Sequence, residues 1–188
     1  MATIATPVSF ADRIQWDKRI KPALVALAIG ALGYAIGAFY VAPRAAVQSP
    51  THVPAAYAAL PNGLIQLTAE DGTGALLPVR IADTSAARDL GFRTVGVQAF
   101  TNTFMLYTLA REVTTRASYS VDGLRAPVEF AAIDASGTVV SITEAPVGLT
   151  RVSIADRHQW LLVAQSGTLA RFGITAGSTM DPAGIVKF

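Results

Sequence analysis

The sequence predicts a mainly β, β-rich α+β small domain of about seven or eight strands with two short helices, preceded by one N-terminal transmembrane helix. Three observations lead there. An apolar run from Ala23 to Ala42 carries no charge, a Pro- and Ala-rich stretch follows it, and from Leu64 onward short apolar runs alternate with turn residues. Composition agrees: 188 residues suffice for one ordinary domain with an appendage. With 52% hydrophobic and only 15% charged residues, some apolar surface must face something other than water.

The run ALVALAIGALGYAIGAFYVA is twenty residues long. At a rise of about 1.5 Å per residue, a helix of that length covers the roughly 30 Å hydrocarbon core of a bilayer. Pro22 occupies a first-turn position that tolerates proline, and Pro43-Arg44 closes the far end. Tyr34 falls mid-helix, while Phe39 and Tyr40 fall near the outer interface, where amphipathic rings are favoured. A buried core helix seldom runs so far without a polar side. A cleaved signal peptide is the closer rival, but the leader holds Asp12 and Asp17 and the apolar run exceeds the usual length of about 7–15. Arg13, Lys18, Arg19 and Lys21 precede the run and only Arg44 follows it closely. The positive-inside rule therefore predicts a single-pass protein of the bacterial inner (cytoplasmic) membrane. Residues 1–21 are expected in the cytoplasm, 22–43 in the transmembrane helix, 44–63 in a linker, and 64–188 in a periplasmic domain. Within the run, Gly33 and Gly37 form GxxxG and Ala26 and Gly30 upstream are likewise four apart, which gives a face for close approach of another helix. The competing reading is that small residues are common in membrane spans.

Pro43, Pro50, Pro54 and Pro61, set among alanines, predict an extended tether in which His52 is a solvated histidine without a role. In the domain, LIQLTA and ALLPVRIA read as the first strands, joined by a turn at Asp71-Gly72 and Gly74. Thr84 and Ser85 are positioned to cap a short helix over Ala86 to Leu90, ending near Gly91. FMLYTL, ASYSV, VEFAAI and TVVSIT read as strands, the last two joined by Asp134-Ala-Ser-Gly137. Trp160 to Ala164 is another strand, SGTLARFG a second short helix, Gly177 to Met180 a turn, and IVKF the closing strand.

Several chemistries are excluded. Without cysteine there is no disulfide framework, thiolate metal site or cysteine nucleophile. Two histidines, His52 and His158, do not make a three-histidine metal site, and there is no HExxH helix, so no metal or cofactor is expected. No GxSxG elbow, Walker loop or dinucleotide fingerprint is present. From Leu64 onward ten basic side chains face eleven acidic ones, so the domain has no nucleic-acid footprint.

The order of pieces from about Val79 to Met180 resembles the small bacterial and archaeal family called "domain of unknown function 192". The resemblance rests on a strand ending in Ala82-Asp83, a capped helix ending Ala87-Arg88-Asp89-Leu90-Gly91, and a Met105-Leu106 strand. Its most specific part is Pro127-Val-Glu-Phe-Ala-Ala-Ile-Asp-Ala-Ser-Gly-Thr-Val-Val-Ser-Ile142, followed by Leu161 to Gly177. The chain departs from the family where the Phe-Trp-Met-Lys-Asn-Thr motif falls on Tyr119 to Leu124. It departs again where Gly-Leu-Met-x-Arg becomes Gly91-Phe92-Arg93 and Leu-Asp becomes Val128-Glu129. The resemblance therefore implies the fold without the family groove's chemistry.

Candidate residues are few. Asp122, Arg125 and Glu129 are expected as a polar cluster around the family groove, unless they are ordinary surface ion pairs worth about 0–1 kcal/mol. Glu129 and Asp134, five apart on one strand, point to opposite faces, and Asp134 reads as a turn residue. Arg157-His158-Gln159-Trp160 is an interface candidate. Alternatively, Trp160 starts a strand and fills the core while His158 is a solvated loop residue. The domain's basic set is nine arginines and one lysine, Lys187, which leans towards a protein partner. The leading expectation is a non-catalytic accessory or scaffold subunit of a larger membrane complex, with the lipid bilayer and other transmembrane subunits as partners. A respiratory or photosynthetic electron-transfer assembly suits as its context. The alternative is a periplasmic small-ligand-binding module or weak enzyme built on Asp122, Arg125 and Glu129.

Overall fold

The computed structural model describes residues 49–101 and 103–188. The expected cytoplasmic segment, the span at 22–43 and its small-residue face at Ala26, Gly30, Gly33 and Gly37 lie outside the described residues. Among the described residues no helix is long and apolar enough to cross a membrane.

The sequence places an extended tether over 44–63, but from Ser49 the chain lies on the domain. The Pro50 carbonyl accepts from Gln98 N at 2.9 Å, and the His52 carbonyl accepts from Gly96 N at 2.8 Å. Gly96 makes this approach possible, since a Cβ there would lie 2.2 Å from the Pro50 carbonyl oxygen. Helix α1 (Ala55–Ala58) follows, burying Tyr57 against Phe92 with ring centroids 5.8 Å apart. Four prolines read as a spacer, yet one aromatic side chain has enough apolar area to dock the segment.

Strands β1 (Asn62–Thr68) and β2 (Gly74–Ala82) form an antiparallel hairpin. β2 pairs in parallel with β3 (Phe104–Val113), so the chain must cross over rather than turn. The crossover carries α2 (Ser85–Leu90) and α3 (Val97–Phe100). As the sequence predicts, the Thr84 hydroxyl caps α2, accepting from Ala87 N at 3.1 Å, and Gly91 ends the helix. β4 (Ala117–Ser120) and β7 (Arg151–Ile154) form a separate two-stranded ribbon. β5 (Val128–Ile133), β6 (Val139–Ala145) and β8 (His158–Gln165) extend the main sheet in the order β3-β8-β5-β6. After α4 (Thr168–Arg171), β9 (Thr179–Met180) and β10 (Val186–Lys187) both pair with β1.

The sheet curls until its two sides nearly meet. β9 lies along β1, and Thr179 in β9 also bridges Thr138 at the head of β6. Gly137 sits at this seam with φ +89°, where a Cβ would lie 2.1 Å from the Met180 carbonyl oxygen. Only glycine suits both the backbone angle and the gap.

Alternating residues fill the two faces of the curl. Ile65, Leu77, Ile81, Leu106, Ile133 and Leu162 belong to the inner cluster. Met105, Tyr107, Phe130, Leu161 and Val163 belong to the outer one, covered by Phe92 and Phe100 of the crossover and by Val152 and Ile154 of the ribbon. With partners on both faces, β5 is buried at all six positions. The β-rich class is as predicted, with ten strands and four short α-helices among the described residues rather than seven or eight and two. The additions are elements of two to four residues, β7, β9, α1 and α3. They are too short to carry a hydrophobic period.

Candidate functional site

The three residues expected to share a groove are held by three different partners. Asp122 is exposed in the loop after β4, 3.7 Å from the Arg93 guanidinium. Arg125 reaches back to the Ser49 carbonyl, donating at 3.4 Å. Glu129 is buried in β5, and its Oε1 accepts from Leu169 N in the first turn of α4 at 2.7 Å. The small-ligand reading depends on their convergence, and each is bonded instead to a different part of the domain. The positions matching the family's polar motif are also committed: Val121 and Leu124 enter the outer cluster, and Tyr119 packs against it.

Glu129 has a neighbour that sequence reasoning missed. Glu144 faces it directly across the β5–β6 ladder and accepts from the Ser166 hydroxyl at 2.7 Å. The two carboxylates thus fasten successive parts of the β8–α4 connection. Long-range register brings them together, and no spacing in the sequence signals it.

Asp134 takes the predicted turn position. Its Oδ1 accepts from the Ser136 N–H at 3.0 Å, the Ser136 hydroxyl at 2.6 Å and the Thr138 N–H at 3.0 Å. Arg157 donates to its Oδ2 at 3.1 Å. Burial alone would push this carboxyl up, but the hydrogen bonds and the Arg157 charge outweigh it and hold it below the ordinary aspartate value.

His158 is not a solvated loop residue. It starts β8 with no exposed surface, and Trp160 two residues on joins the inner cluster. Its Nδ1 lies 2.7 Å from the Asp156 carbonyl, which only accepts, so Nδ1 carries the proton. Nε2 then accepts from the Tyr119 hydroxyl at 2.5 Å. This links the ribbon strand β4 to the main sheet, and burial raises the Tyr119 phenol above its usual range. The neighbouring Tyr107 phenol, buried with its ring centroid 6.1 Å from that of Tyr119, is also held protonated by burial. The Tyr119 phenol and an imidazole bonded at both nitrogens form a structural chain of hydrogen bonds, with the Tyr107 ring packed beside it.

Burial pushes the Tyr57 phenol up to about 12, and among the described residues the hydroxyl has no hydrogen-bond partner. A cleft of about 310 Å³ opens beside Asn62, Pro78, Arg80, Thr103 and Phe188. Arg80 is already engaged there, donating to the Ala58 and Leu60 carbonyls at 3.2 and 3.0 Å. Among the described residues no group of three or more acidic or histidine side chains is placed to hold a metal ion.

These features define a small domain built on one curled, mostly antiparallel sheet, with Glu129, Asp134 and His158 bonded within the frame. Two solved structures share that architecture. One is a Sinorhizobium meliloti 1021 protein described provisionally as a transcription regulator. It has a TM-score of 0.59 and 19% identity, covering 66% of this chain and 96% of that one. The other is a protein of unknown function from Novosphingobium aromaticivorans DSM 12444, with a TM-score of 0.53 and 20% identity, covering 69% and 97%. At these identities the likeness establishes the fold alone. No family model and no curated protein matches the chain.

Proposed function

We propose that the chain is a membrane-anchored, non-catalytic accessory or scaffold subunit of a larger membrane complex. Residues 22–43 act as its anchor and the β-rich domain lies on the periplasmic side. The observation that carries this reading is the fate of the polar residues. Asp122, Arg125, Glu129, Asp134, Arg157 and His158 are each bonded to another part of the domain. Side chains spent on the frame support a docking module, whereas catalysis needs a poised group facing substrate. The sequence adds the uncharged run, the charge asymmetry around it and the small-residue face. The same reading treats 79–180 as related to "domain of unknown function 192". It is supported by the capped helix at 85–90 and the β5–turn–β6 unit, which fall where that family's pattern has them.

Blue-native electrophoresis of the tagged full chain, extracted from native membranes in mild detergent, tests the proposal. The expected result is migration in an assembly well above 19.6 kDa plus detergent, diminished by Gly33→Ile with Gly37→Ile. Migration only as a lone monomer would defeat it.

A further inference from the structure

The end of the sheet where β5 begins and β6 and β8 finish has an unusual surface. Register fixes its members: Val128 pairs with Ala145 on one side and with Gln165 on the other. Thr101, just after α3, donates to Gln165, and Arg125, three residues before Val128, donates to Ser49. The segment at 49–52 lies on α3 and Gly96, so the chain joins the domain at this same end. Here the β6–β7 turn exposes Val147 at 52% and Leu149 at 42%, Val53 follows the joining segment at 46%, and Phe172, against the first residue of β3, is exposed at 39%. These are four of the seven large hydrophobic side chains exposed among the described residues.

Chain length says what faces them. Pro43 ends the uncharged run and Ser49 is already fixed on the domain, six residue steps later. A fully extended chain gains at most about 3.3–3.6 Å per residue, so six steps reach about 20 Å. On the anchor reading, a linker of that reach keeps the joining end within about 20 Å of the bilayer surface. Exposed aliphatic and aromatic side chains held there are within reach of the boundary between headgroups and acyl chains. The flanking charges, Arg93, Arg125 and Arg151 against Asp122 and Glu144, do not oppose an anionic leaflet.

We infer that this apolar end, with Val147 and Leu149 at its tip, rests on the outer leaflet of the membrane, so that lipid is its partner. The inference relies on the anchor reading given under Proposed function. The absence of cysteine makes the test direct. Leu149→Cys, Ala135→Cys at the opposite end and Ala31→Cys within the apolar run are each labelled with an environment-sensitive dye in the full chain. The labelled protein is reconstituted into phosphatidylcholine and phosphatidylglycerol vesicles with or without shallow spin-labelled lipid. The expected result is that lipid quenches the position 149 dye at least about twofold more than the position 135 dye, as interfacial burial requires. If position 31 is quenched while 149 and 135 stay equally unquenched and open to iodide, the domain stands clear of lipid: the inference falls and the anchor survives. If position 149 is shielded from iodide without lipid quenching, a second copy covers this end and the inference also falls. If position 31 is unquenched, the anchor reading fails and takes the inference with it.

Discussion

The two ends of the curled sheet are built from opposite chemistries. At one, the β5–β6 turn is a polar knot: the Asp134 carboxylate gathers two backbone N–H groups, one hydroxyl and the Arg157 guanidinium. Glu112 also accepts from Ala135 N at 3.0 Å, and the Met180 N–H donates to the Gly137 carbonyl at 2.7 Å. At the other end, the buried Glu129 and the exposed Glu144 fasten the β8–α4 connection, Asp122 faces solvent beside Arg93, and the surface also carries Val147, Leu149 and Phe172. The contrast teaches that dense hydrogen bonding gathers at the polar turn and seam, while the other end leaves apolar side chains exposed.

Mutations should separate these roles. Gly137→Val, which forces a Cβ against the Met180 carbonyl at a positive φ, should cost about 2–4 kcal/mol in thermal or denaturant unfolding of the full chain in detergent. Glu129→Ala leaves the buried Leu169 N–H without its acceptor and should cost about 1–3 kcal/mol by the same unfolding measurement.

Asp134→Asn should cost about 1–2 kcal/mol at neutral pH, and its effect should depend on acid. Because the folded-state carboxyl is depressed, its stabilisation is complete above the unfolded value of about 3.9 and is lost as pH falls through the folded value. Unfolding series from pH 7 down to about pH 2 should therefore show the wild-type and Asn curves converging. A constant gap would mean that the turn is held by geometry rather than charge. Val147→Asp should change stability by no more than about 0.5 kcal/mol, since the side chain is exposed, while abolishing the lipid quenching predicted for the position 149 dye.

Much of the fold was legible because its longer strands announce themselves. LIQLTA, ALLPVRIA, VEFAAI and TVVSIT all lie within or overlap observed strands, and Thr84, Gly91 and the Asp134 turn perform their predicted local tasks. These signals are local, carried by capping hydroxyls, glycine angles and apolar runs. What escaped depends on distant partners. Tyr57 docks a segment whose prolines suggested a spacer, and Gly96 clears the space for it. His158 reads as a loop residue because its phenol partner, Tyr119, becomes a neighbour only when β4 approaches β8. Glu129 could not be assigned to a face by alternation because β5 is covered on both sides.

The account rests on residues 23–42 holding the chain in the bilayer with the β-rich domain outside. Single cysteines at Ser9→Cys and Ala135→Cys, probed in intact spheroplasts with a membrane-impermeant maleimide, test that most directly. The account predicts labelling at position 135 in intact cells, and at position 9 only after the membrane is permeabilised. Release of the protein into the soluble fraction, or labelling at position 9 while position 135 stays protected, would contradict it.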